Sequence, residues 1–301
     1  MTESIEAPQK ASEVKAWLAA HPQPDPAVLA PQPKQKAAAK VAAVRALTAM
    51  GGPAAFDVLS QYASDGKYSD AMLKELHAAW DVFDRREFAL AMFNSRVLRL
   101  DVTKNVEGLQ AVPGLQAVMV IVPELTDLSP LAECRELREL DASVYGQGTL
   151  DLSFLPDMPS LEILSLGNLA RHTDFAPLAR TSLKQLTIGL NGQPGDVLLQ
   201  IETLERLQLS GNVSTVGYHD PGPTDVDPGL IDVVVTLVQR GVKVAVYRYE
   251  KNWVPKLVEA ATAAGLFSTE SNGYVALTND ASELDMLTRR LFVNQFTGLY
   301  L

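Results

Sequence analysis

Between residues 97 and 212 one short frame keeps returning: an apolar residue, two others, an apolar residue, one other, an apolar residue. It reads Leu115/Val118/Val120, Leu137/Leu140/Ala142, Leu161/Leu164/Leu166, Leu183/Leu186/Ile188 and Leu204/Leu207/Leu209, with starts separated by 22, 24, 22 and 21 residues. A compressed copy, Val97/Leu100/Val102, lies 18 residues ahead of the first. Such even spacing restricts the fold severely. Each copy is too short to bury its own apolar side, so the copies must stack on one another, frame positions inward and alternate strand positions outward.

A second frame runs in phase with the first. Asp127-Leu128-Ser129-Pro130-Leu131, Asp151-Leu152-Ser153-Phe154-Leu155 and Asp174-Phe175-Ala176-Pro177-Leu178 each precede a strand frame, and Asp196-Val197 continues the series. Aspartate there accepts hydrogen bonds from the free amides of a short helical turn, and proline fits the turn's first residues. Together the two frames resemble the short, internalin-like class of bacterial leucine-rich repeats. The resemblance implies an α/β leucine-rich repeat solenoid over residues 95–215. The family's asparagine, three residues past the last frame position, is kept at Asn191 and Asn212 but replaced at Pro123, Tyr145 and Leu169. Irregular loops are expected at those three places, with a bulged-out loop at Tyr145-Gly146-Gln147-Gly148.

The flanks have other periods. Prolines at 22, 24, 26, 31 and 33 predict an irregular tether within a flexible N-terminal segment, 1–34, after a short helix near 11–20. Residues 35–94 form a helical, HEAT-like region. Its stripes are Ala37, Val41, Val44 and Leu47, then Phe56, Leu59 and Tyr62, then Met72, Leu76, Ala79, Trp80 and Phe83. Gly51-Gly52 ends the first helix, Pro53 opens the second, Ser69 caps the third, and Asp84 with Glu87 opens a fourth. Helical pairs running through Ala79-Trp80-Asp81-Val82-Phe83-Asp84 into such repeats also resemble the sensor half of bacterial NACHT-type receptors. That resemblance implies a sensor or adaptor; the nucleotide-binding G-x-x-x-x-G-K-[ST] motif does not occur in this sequence. Residues 216–301 read as α-β-α-β-β-α, a C-terminal α/β cap. Val242, Val244 and Val246 alternate as a strand, and Asn272-Gly273 supplies a hairpin turn.

Composition narrows the function. Against 26 basic side chains stand 36 acidic ones, net −10, with the excess concentrated in 95–215. This disfavours nucleic acid as a partner. No apolar run is long enough to cross a membrane, and the acidic start Met1–Glu6 is unlike a signal peptide, so a cytoplasmic protein without a membrane partner is expected. A single cysteine, Cys134, excludes an internal disulfide and multi-cysteine metal sites.

Catalytic constellations, metal sites and cofactors are not expected. His21, His77, His172 and His219 lie in separate segments, and Cys134 lacks the flanks of a nucleophile. The aspartates at 220, 225 and 227 lack calcium-loop spacing. Lys34, Lys36, Lys40 and Arg45 read as a solvated face. What remains is a non-enzymatic, protein-binding surface on the outward strand positions. These are Arg99 and Asp101, Met119 and Ile121, Glu139 and Asp141, Ile163 and Ser165, Gln185 and Thr187, and Arg206 and Gln208. An apolar centre rimmed by charge marks protein contact; the rival reading has flanking segments folded over the strip as core. The alternative function is an enzyme or small-ligand site in the C-terminal segment, near Asp225, Asp227, Tyr247, Arg248 and Tyr249.

Overall fold

A computed structural model describes residues 5–63, 68–100, 106–122, 127–170, 172–190, 193–209, 229–247, 253–271, 273–285 and 287. The chain divides into two compact units, Met1–Asp101 with Val106–Leu115, and Val102–Asn105 with Gln116–Leu301.

The first unit is helical: α1 (Val14–Ala20), α2 (Ala37–Met50), α3 (Gly52–Leu59), α4 (Asp70–Trp80) and α5 (Arg85–Met92), followed by strand β1 (Val97–Leu100). The start and stop signals act as the sequence predicts. Gly51 ends α2 with φ +64°, Ser69 Oγ accepts from the Met72 amide, and Asp84 accepts from the amides of Arg86 and Glu87. The buried face of α2 differs from the expected stripe. Ala37 is exposed and Val41 half-buried, while Ala39, Ala42, Ala43 and Ala46 are buried together with Val44 and Leu47. Small side chains let a neighbouring backbone approach closely, so alanine rather than bulk marks this face.

The proline-rich tether is tied to these helices. Pro26–Leu29 forms a 3-10 turn opened by Asp25, Leu29 is 1% exposed, and the Tyr62 hydroxyl donates to its carbonyl at 2.5 Å. Upstream, Trp17 donates to the Glu6 carbonyl, and Arg45 reaches the Ala11 carbonyl. Arg45 also donates to both carboxylate oxygens of Glu75, at 2.9 and 2.5 Å, and Glu75 is buried. Arg45 is thus tied to a buried carboxylate although its side chain remains 41% exposed, while Lys34, Lys36 and Lys40 are exposed. Trp80, Phe88 and Phe93 pack as one aromatic cluster, the Trp80 and Phe93 rings 4.9 Å apart.

In the second unit the expected rungs are present. Strands β2 (Ala117–Val122), β3 (Glu139–Gly148), β4 (Ile163–Leu169), β5 (Gln185–Ile188) and β6 (Arg206–Leu209) are parallel neighbours in chain order. Val118, Leu140, Leu164, Leu186 and Leu207 are register partners, none more than 2% exposed. The next row, Val120, Ala142, Leu166, Ile188 and Leu209, is buried as well. Short 3-10 turns at Ser129–Glu133, Leu155–Asp157, Ala176–Arg180 and Asp196–Gln200 return the chain between strands, each inserting a buried leucine (Leu131, Leu155, Leu178, Leu198).

The aspartate frame does what its chemistry predicts in three copies. Asp127, Asp151 and Asp174 accept from the amides of Ser129, Ser153 and Ala176 at 2.8 to 2.9 Å. Asp196 departs from the series: it is the first residue of its 3-10 turn rather than the residue two before an accepted amide. The expected bulge is also present. Ser143 pairs with Gly167 and Gly148 with Leu169, so five steps along β3 match two along β4. Pro123, Asn191 and Asn212 lie outside the described residues; Leu169 is buried.

Past β6 the same sheet continues. An α-helix, α6 (Leu230–Gln239), takes the place of a 3-10 turn, and β7 (Lys243–Tyr247) adds in parallel with Val244 opposite Leu207. Then α7 (Val254–Ala263) leads to the hairpin β8 (Phe267–Ser271) and β9 (Tyr274–Thr278). Gly273 in its turn has φ +83°. β9 inserts antiparallel between β7 and β8. This order covers the apolar flank that the last rung would otherwise leave in water.

Candidate functional site

Because side chains alternate along a strand, the sheet of the second unit has two faces. One carries the leucine rows and the 3-10 turns. The other, called here the far face, holds every outward position expected from the sequence that falls in this unit. Its first row runs Ala117, Glu139, Ile163, Gln185, Arg206, Lys243 across successive strands. Its second runs Met119, Asp141, Ser165, Thr187, Gln208, Ala245, and a third begins Ile121, Ser143, Gly167. Arg99 lies on β1 in the first unit and is exposed; Asp101 lies outside the described residues.

Burial divides this face. Met119, Ile121, Asp141, Ile163, Ser165, Gln185, Thr187 and Arg206 are half-buried. Glu139 and Gln208 were expected to face outward with them but are buried, at 2% and 6% exposure. For Gln208 the cause is visible: its Nε2 donates to the Tyr274 hydroxyl at 3.3 Å, and the Tyr274 ring packs on that of Tyr247, with centroids 5.1 Å apart. Burial holds the Tyr274 phenol above its ordinary range. Beside this cluster the Lys243 ammonium pairs with Glu283 at 2.7 Å.

Lys243, Ala245, Tyr247 and Tyr274 were not among the expected surface residues. A signal for them existed, since Val244/Val246 repeat the last two positions of the frame and place Lys243 and Ala245 in the far-face rows. The 37-residue step from Leu207 to Val244 hid it. The row at Ser143 and Gly167 was missed too. A Cβ on Gly167 would stand 2.6 Å from Ser143 Oγ, so only glycine leaves that hydroxyl its room.

The strands begin on a ladder of charge. Glu162, just ahead of β4, receives Arg138 at 2.5 Å and Lys184 at 2.8 Å. These two bonds, Lys184 first, hold the Glu162 carboxyl below its ordinary range. The carbonyls of the same residues anchor the next strand: Arg138 accepts from Ile163, Glu162 from Gln185 and Lys184 from Arg206.

Elsewhere the chemistry is structural. Cys134 is buried and its thiol is pushed up to about 12, mainly by burial, with the nearby Glu133 charge adding to it. His172 is exposed and shares a 2.6 Å hydrogen bond with the Thr149 hydroxyl. Among the described residues no three His, Cys, Asp or Glu side chains come together as a metal site. No helix among them is long and apolar enough to cross a membrane. A groove of roughly 260 Å³ opens on the turn side between Asp174, Ala179, Gln193 and Asp196. Of the C-terminal alternative, Tyr247 is described and packed on Tyr274, while Asp225, Asp227, Arg248 and Tyr249 lie outside the described residues.

No protein-family model and no curated protein matches the chain. Solved structures do. An internalin (InlF) of Listeria monocytogenes is 15% identical over 67% of this chain and 68% of its own, with a TM-score of 0.33. Internalin C2 of the same organism is 18% identical over 70% and 87%, again at 0.33. The repeat architecture rests on the register of Leu140, Leu164, Leu186 and Leu207. Nothing in these comparisons supports the resemblance to NACHT-type receptors.

Proposed function

We propose that the chain is a non-enzymatic recognition module that binds a protein partner on the far face of its repeat sheet, as a sensor or adaptor. One observation carries this reading: Met119 and Ile121 on β2 and Ile163 on β4 are half-buried apolar side chains on one face of a parallel sheet, with Glu139 and Asp141 on β3 between them and polar residues on β5 and β6 beyond. A pleated wall of that kind offers preset side-chain positions at little entropic cost. The buried thiol of Cys134 and the capping aspartates, each explained by folding, support a recognition role over catalysis. We place the protein in the cytoplasm with no membrane partner, and its acidity speaks against nucleic acid. The test is affinity capture with the full chain from its native host. Met119→Asp with Ile121→Asp is expected to lose the partner retained by the wild type while the circular dichroism spectrum stays unchanged. Undiminished capture by that variant would remove the far face from the reading.

A further inference from the structure

We propose that the far face receives an acidic segment of its partner: an aspartate, a glutamate or a chain-terminal carboxylate placed beside an apolar side chain. This rests on the recognition reading above and specifies the chemistry of what is recognised. The starting point is Arg206. It is half-buried at the head of β6, and its guanidinium meets no acceptor among the described residues. Its register partner on one side is another cation, Lys243, whose charge is already taken by Glu283. Like charges opposite one another across a sheet are unfavourable, so this position costs stability that an internal contact does not return.

Its surroundings can also donate to an incoming group. Gln185 is its register partner on the other side; Thr187 and Ser165 follow on the next row. All three are half-buried, and their side chains make no hydrogen bond among the described residues. An amide, two hydroxyls and a forked guanidinium thus share three adjacent strands, the guanidinium being the group that can only donate, and the one carboxylate in their rows next to them, Asp141, stands opposite Ser165 at the far side from Arg206. A carboxylate is the matching group, since it takes two parallel N–H bonds from arginine and leaves lone pairs for neighbouring donors.

The rows also set the direction in which a partner lies. Ile163 shares Arg206's row two strands away, about 10 Å at ordinary strand spacing, and Met119 and Ile121 lie beyond it. Glu139 and Asp141 on β3 disfavour an anion at that end. The carboxylate is therefore assigned to β5 and β6 and the apolar side chain to Ile163 on β4, a separation of about three residues of extended chain. Because the whole chain is acidic at −10, long-range attraction does not assist encounter; discrimination comes from charge-assisted bonds formed at contact.

The experiment selects a random twelve-residue peptide display library on the full-length protein, in parallel with Arg206→Glu, Arg206→Gln and Ile163→Asp, each first checked for wild-type circular dichroism and melting. The wild type is expected to enrich peptides with Asp or Glu near an apolar residue. Replacing that acid by its amide in the synthetic peptide should weaken binding about tenfold or more. Arg206→Gln should abolish this acid preference, and Arg206→Glu should shift enrichment to Lys and Arg. Enriched peptides without acid preference that still depend on Ile163 would overturn the acidic inference and leave the recognition face standing. Peptides bound equally by all variants, or no enrichment at all, would overturn both. Binding to phosphatidylserine vesicles by the wild type but not by Arg206→Glu would assign the cation to a membrane and refute the protein partner.

Discussion

The helical unit and the repeat unit reach burial by different routes. In the repeats, position is a matter of counting: Leu140, Leu164, Leu186 and Leu207 occupy equivalent places because each follows the last by a near-equal step of 24, 22 and 21 residues. In the helical unit, order depends on singular anchors with no equivalents. Trp80 stacks among Phe88 and Phe93, Arg45 clasps Glu75, and Tyr62 pins the Leu29 carbonyl. A periodic core spreads its specification over many similar contacts; an aperiodic one concentrates it in a few. The two should therefore fail differently.

The largest effect tests the concentrated half. Trp80→Ala removes a side chain only 1% exposed together with its hydrogen bond to the Arg85 carbonyl. A loss of about 4 kcal/mol is expected in urea titration, with hydrogen exchange rising across α4 and α5 before the repeats respond. The distributed half should be uniform. Leu140, Leu164, Leu186 and Leu207, each replaced by alanine, are expected to cost about 3 kcal/mol apiece. A spread wider than about 2 kcal/mol among them would show that the rungs are not energetically equivalent.

A smaller effect runs the other way. Lys34 adopts φ +61° after Pro33 in a turn closed by the Gln35 amide on the Gln32 carbonyl. A lysine there bears strain that glycine would not. Lys34→Gly should raise the melting temperature, a gain of about 1 kcal/mol; an unchanged or lowered value would mean the lysine side chain contributes more than its backbone costs. The smallest concerns the charge ladder. The Glu162 carboxyl is depressed by Lys184 and Arg138, so its contribution is complete above the ordinary carboxylate range and fades as pH falls through that range and below it. Glu162→Gln should cost at most about 0.5 kcal/mol at neutral pH. The gap from wild type should close in acid melts; a gap that persisted there would point to packing instead of charge.

The same contrast explains what could be read from sequence. The strand frames and the capping aspartates at 127, 151 and 174 follow from local chemistry repeated at near-equal intervals, and the bulge after Ser143 falls where the sequence departs from that repeat. The alanine face of α2 was not legible, because a stripe of small residues is nearly silent in a hydrophobic pattern. Nor was the clasp of Arg45 on Glu75, thirty residues apart with no period linking them. On the far face, outward alternation was predictable, but the burial of Gln208 needs Tyr274, sixty-six residues later in the chain. Proximity across such separations is a product of topology, which only the assembled sheet displays.

Along the ladder on which the strands begin, Arg138, Glu162, Lys184 and Glu205 alternate in sign from one turn of the coil to the next. A nascent chain that skipped a turn would set Arg138 against Lys184, or Glu162 against Glu205. Leucines are interchangeable and cannot detect that error. Alternating signs can, so the order of assembly is written along a margin that adds little to the strength of the finished sheet.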